Sequence, residues 1–131
     1  MKKVLSSTPA FIILFVLFMV PTYVLPWLGS NSSLSNAASV ANGTGVNPLF
    51  YVHAAALAIL IALTWIRGSS IGKSWLVVLP VVATIFDMMP VLNLIPFVPT
   101  ILHTITLILG AIGDRATAQA VDSPEAPEVA R

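Results

Sequence analysis

Residues Trp75 to Gly113 form a continuous tract of 39 residues that is almost wholly apolar and carries one formal charge, Asp87. A helix needs about 20 apolar residues to cross the hydrocarbon core of a bilayer, so the tract is close to two spans folded back on one another. The turn falls in the segment from Met89 to Pro99, where Pro90, Pro96 and Pro99 each remove a helical donor. An ionisable group inside such a tract is costly to bury, which makes Asp87 the first candidate for a functional residue.

Composition leads the same way. Hydrophobic residues make up 57% of the 131-residue chain and charged residues 8%, against about 25% charged in soluble domains. Too few charges are present to build a water-facing surface, so the expected class is an all-α membrane protein with the lipid bilayer as its first partner. A net charge of +1 supplies no basic field for nucleic acid. With no cysteine, disulfides, thiolate metal sites and cysteine nucleophiles are excluded.

A single membrane-embedded domain, 1–113, is predicted to hold four transmembrane helices at 9–28, 48–66, 75–89 and 96–113, the last two as a proline-rich hairpin. Thr8 is placed to cap the first span and Pro9 suits its first turn. Pro21 and Pro26 should bend it near its far end. Lys2 and Lys3 before this run, and Ser39-Val40-Ala41 after it, also fit a cleaved signal peptide. The apolar run, however, exceeds the typical signal length of about 7 to 15 residues.

Gly29 to Asn47 reads as a flexible polar loop, and Asn47-Pro48 as the start of the second span. Arg67 to Lys73 reads as a short basic loop, with Ser74 capping the third span. The third and fourth spans are short, about 22 to 27 Å at helical rise, so a re-entrant hairpin is an alternative to two full crossings. From Asp114 apolar periodicity disappears, and 114–131 is expected to be a disordered cytoplasmic tail.

Basic residues orient the chain. With four spans and the N-terminus inside, Lys2, Lys3, Arg67, Lys73, Arg115 and Arg131 all fall on the cytoplasmic side, giving an N-in/C-in topology. Tyr23, Trp27 and Tyr51 then fall at the outer interface, and Trp65 and Trp75 at the inner one. Compact size and short loops favour a bacterial inner membrane.

Three residues could carry chemistry. Asp87 lies just before the outer turn, His53 five residues after Pro48, and His103 near the start of its span. Helical rise puts all three roughly 6 to 12 Å below the outer surface, so adjoining helices would gather them into one polar cluster. Such a group could relay protons, since imidazole changes charge near neutral pH. It could alternatively hold a divalent metal, though no close His-x-x-x-His spacing is present, and no metal or other cofactor is expected. Pro80, Ala83, Thr84 and Asp87 share one helix face, as do Thr100, His103 and Gly110. Ala54, Ala58 and Ala62 form a small-residue stripe of the kind that lets membrane helices approach closely.

Catalytic motifs are missing: the chain has no G-x-S-x-G, phosphate-binding glycine loop or H-E-x-x-H. Asn31-Ser-Ser33 and Asn42-Gly-Thr44 match the short N-glycosylation pattern. The expected function is a small polytopic membrane protein without enzymatic activity, acting as a homo-oligomer or as an accessory subunit beside another membrane protein. The alternative is a proton-coupled small-molecule transporter or holin-like pore subunit using Asp87. An intramembrane enzyme is a third, weaker reading.

Overall fold

The computed structural model describes residues 7–27, 33–92, 95 and 97–121. These residues are helical and contain no strand. Helix α1 covers Thr8–Trp27, α2 Ser33–Ala41, α3 Pro48–Ser70, α4 Val78–Met88 and α5 Val98–Val121, and a 3₁₀ turn over Ser74–Val77 leads into α4.

Side-chain capping marks the start of α3 but not of α4: Ser74, expected to cap the third span, lies within the 3₁₀ turn, and neither that turn nor α4 has a side-chain cap bond. The Ser7 carbonyl accepts the first intrahelical bond of α1, from the Phe11 amide at 2.9 Å. At α3, Asn47 is extended and its side chain accepts from the Leu49 amide, with Pro48 in the first turn. The Asn47 amide in turn donates to Asn36 Oδ1 at 2.8 Å, which ties α2 to the start of α3.

Three boundaries differ from the sequence expectation. Residues 67–70, expected in a basic loop, continue α3. The helix stops only at Gly72, whose φ of 69° lets the Lys73 amide turn back to the Gly68 carbonyl at 2.8 Å. Gly68 serves a different purpose: a Cβ there would lie 2.8 Å from the Lys73 carbonyl oxygen. The loop expected over 29–47 contains α2, which ends in the same way, with Gly43 at φ 74° and the Thr44 amide bonded to the Ser39 carbonyl. Finally, α5 runs through 114–121, where a disordered tail is expected. Residues 116–120, Ala-Thr-Ala-Gln-Ala, are compatible with helix despite their lost apolar period. Residues 122–131 lie outside the described set, as do the expected placements of Lys2, Lys3, Asn31 and Arg131 and of the side chains of Trp27 and Arg115.

α1 packs chiefly on α3, while α4 folds back on α5. Phe11 and Phe15 of α1 meet Leu57, Leu60 and Leu63 of α3 to form the apolar core. α5 joins through Gly110, where a Cβ would come within 2.5 Å of the Phe11 ring. The stripe expected to mediate close packing lies elsewhere: Ala54 is half-buried, while Ala58 and Ala62 are exposed. The face of α3 turned inward is instead His53, Ala56, Leu57, Leu60, Thr64 and Arg67.

Polar side chains are buried beside the apolar core, and large apolar ones lie outside. Arg67, His103, Thr64 and Thr106 are among the fully buried side chains, whereas Ile13 is 66% exposed, Leu17 57% and Ile101 55%. Among the described residues, Pro48–Ser70 is the one helix long and apolar enough to cross a membrane. Thr8–Tyr23, Ser74–Met88 and Val98–Gly113 are shorter apolar segments. The molecule is therefore a helical bundle with one candidate span by length and composition.

Candidate functional site

Four helices deliver one polar side chain each to a buried site. His53 lies in the second turn of α3 and is almost sealed, and its Nε2 bonds to Oδ2 of Asp87 at 2.5 Å. Asp87 reaches it from the last turn of α4, on the inward face that also buries Pro80 and Ala83. From α5, His103 is wholly buried, and its Nδ1 bonds to the Tyr23 hydroxyl of α1 at 2.7 Å. Thr100 lies one turn before His103, beside the same phenol. The Asp87 carboxylate acts electrostatically on both His103 and Tyr23, and His53 acts on His103.

Of the three residues singled out from their positions along the helices, the structure joins His53 to Asp87 and gives His103 a separate partner, Tyr23. His53 and Asp87 touch, and His103 lies within their electrostatic reach. Each imidazole has a second nitrogen, His53 Nδ1 and His103 Nε2, that is buried without a hydrogen-bond partner. A proton held on either of these nitrogens is therefore buried without an acceptor. No three His, Asp or Glu side chains among the described residues are placed to hold a metal ion.

A second polar site lies at Arg67, 14 residues further along α3, or about 21 Å at helical rise. Arg67 Nε donates to the Gly110 carbonyl at 2.9 Å and Nη2 donates to Thr8 Oγ1 at 2.8 Å. Its guanidinium carbon sits 5.9 Å from the Phe11 ring centroid. Thr8, expected only as a helix cap, is thus a tertiary acceptor. Aromatic rings connect the two sites: Phe11 lies 5.3 Å from Phe15, Phe15 stands edge-on to His103 at 6.1 Å, and His103 edge-on to Tyr23 at 6.1 Å. The hydroxyls of Thr22, Thr64 and Thr106 each donate to their own helix four residues back. They make no bridge between the two polar sites.

Sequence reasoning missed two residues. Tyr23 reads as an interfacial anchor from its place near the end of an apolar run, yet its hydroxyl is spent inside. The usable signal is that a buried phenol seeks a partner and His103 lies at matching depth. Arg67 reads as a loop cation because a Gly-Ser-Ser run follows it, and only the helix stop at Gly72 reveals that it belongs to α3.

Compared with known protein families, curated proteins and solved structures, the chain matches none.

Proposed function

We propose that the chain is a small multi-pass membrane protein whose four helices cross a bilayer, with both termini on the cytoplasmic side of a bacterial inner membrane. In this reading it is not an enzyme. It works as a subunit, either in a homo-oligomer or as the accessory part of a larger membrane complex. The observation that carries the reading is where the side chains lie: Arg67 and His103 are sealed inside, while Ile13, Leu17, Ile101 and Ile108 lie outside. In water such a surface would drive association; facing lipid, it matches its solvent, and the ionisable residues turn toward the bundle interior. The shorter apolar segments are accommodated by local thinning of the bilayer. Ala55, Ala58 and Ala62 face outward on α3, which supports close contact with a neighbouring helix of another subunit.

Reporter fusions test the topology. A reporter after Arg131 should read inside and one in the segment near Val40 outside; an outside signal after Arg131 sinks the four-span arrangement. Crosslinking in native membranes should give species larger than the monomer, and a chain that stays monomeric in lipid as well as detergent would remove the subunit role.

A second reading is favoured by a specific observation, the hydrogen-bonded His53–Asp87 pair beside His103. In that reading the protein is a proton-coupled transporter or pore subunit. Asp87→Asn should then abolish proton flux in reconstituted vesicles, and flux equal to that of the unaltered protein would exclude it.

A further inference from the structure

The four long helices form two pairs: α1 with α3 through the phenylalanine–leucine core, and α4 with α5 through the hairpin. Among the described residues, side-chain hydrogen bonds cross the seam between the pairs at both ends. Tyr23 of α1 bonds to His103 of α5, Asp87 of α4 to His53 of α3, and Arg67 of α3 to the Gly110 carbonyl of α5. Chemistry divides them. The Tyr23 and Asp87 crossings at the hairpin-turn end each involve an imidazole, a ring that can carry one proton or two. The crossing toward the other end is made by a guanidinium, whose charge is permanent.

We infer that Tyr23, His53, Asp87 and His103 form one proton-binding site, and that proton uptake there releases this end of the seam while Arg67 holds the other. The inference rests on the proton-linked reading above and deepens it by naming what the proton does. Tyr23 faces the site from α1, His53 from α3, Asp87 from α4, and His103 with Thr100 from α5. Arg67 lies about 21 Å away along α3. One carboxylate therefore serves two imidazoles.

With His53 protonated on both ring nitrogens beside the Asp87 carboxylate, their bond is satisfied and the pair carries no net charge. A further proton has two places to go, and each falls on a seam-crossing bond. On Asp87 it discharges the carboxylate that His53 is bonded to. On His103 it adds a second cation to a site whose carboxylate is already engaged. It also puts a proton on both ring nitrogens, so Nδ1 must donate to the Tyr23 hydroxyl, while Nε2 holds a buried N–H with no acceptor. Two imidazolium groups beside one carboxylate repel in a poorly solvated interior, where charges are weakly screened. Acidification therefore loosens the cluster end, and Arg67, unaffected, becomes the hinge.

The absence of cysteine makes the test direct. Spin labels on Tyr51→Cys and Ile101→Cys report the cluster end, and labels on Trp65→Cys and Ile112→Cys the Arg67 end; all four native side chains are exposed. Distances are measured on the full chain in phosphatidylcholine–phosphatidylglycerol vesicles at about pH 7.5 and about pH 4. The cluster-end distance should lengthen reversibly by several ångströms on acidification, and the Arg67-end distance should hold. Asp87→Asn and His103→Gln keep hydrogen-bonding groups but do not titrate, and together they should abolish the response. Should that double variant fail to fold, Tyr23→Phe serves instead: it removes one crossing bond and should leave the cluster end wider at neutral pH. An unchanged cluster-end distance, an undiminished response in the double variant, or equal lengthening at both ends overturns the proposal. Oxygen accessibility of the same labels separately reads whether their sites face lipid, so failure of the proton site and failure of the membrane reading are told apart.

Discussion

At the scale of single residues, Arg67 and Asp87 are each held by specific geometry. A guanidinium is planar and presents several donors at once. Arg67 sends donors in different directions, toward Gly110 on α5 and Thr8 on α1, while its face lies against Phe11. Arg67→Lys keeps the charge but cannot reproduce that fork, and hydrogen bonds from charged groups contribute about 1.5 to 3 kcal/mol each. Thermal unfolding of Arg67→Lys in detergent should show a loss of about 2 kcal/mol; an unchanged midpoint would mean that charge alone holds the site. Asp87 is tested by comparing two substitutions. Asp87→Ala strands the buried His53 ring without its partner and should cost about 1 to 3 kcal/mol, whereas Asp87→Asn retains an acceptor and should cost less. Equal losses would show that the His53 bond contributes little to the fold.

At the scale of elements, glycine decides how closely α5 docks. A methyl at Gly110 would meet the Phe11 ring at 2.5 Å, and that ring is confined by Phe15 on one side and Arg67 on another. Gly110→Ala should therefore cost about 1 to 3 kcal/mol, the usual range for overpacking. At Gly113 the nearest atom is the flexible end of Ile71, so Gly113→Ala should be milder. Unfolding midpoints that reverse this order would mean that α5 does not pack as described. The start of α3 was legible in Asn47-Pro48 because capping is a local signal. Its end was not: Arg67-Gly-Ser-Ser looks like loop composition, and the true stop is the left-handed backbone at Gly72 four residues beyond Gly68.

For the whole molecule, the telling feature is which surface is left outside. Ala58 and Ala62 were legible as a stripe, but not the direction in which it faces; within this chain it points away from the core. If subunits meet there, oxidation of Ala58→Cys in native membranes should yield a disulfide-linked dimer, while Ile105→Cys on α5 should give little. Equal dimer yields at both positions, or none at Ala58→Cys, would move the subunit contact to another face.

Sequence alone determined where the apolar segments lie, that prolines interrupt the tract between Met89 and Pro99, and that Asp87, His53 and His103 each lie within about two turns of a helix end. Each of these follows from local composition or from residue spacing along a helix of known rise. Tertiary structure decided the rest: that Tyr23 turns inward to His103, that Arg67 is sealed against Phe11, and that the alanine stripe stays outside. The reason is physical. A helix that is apolar nearly all round carries little amphipathic signal to say which face turns inward. That choice falls to shape and hydrogen bonding between neighbours, here the Gly110–Phe11 contact and the bonds that Tyr23, His53 and Arg67 make across the bundle.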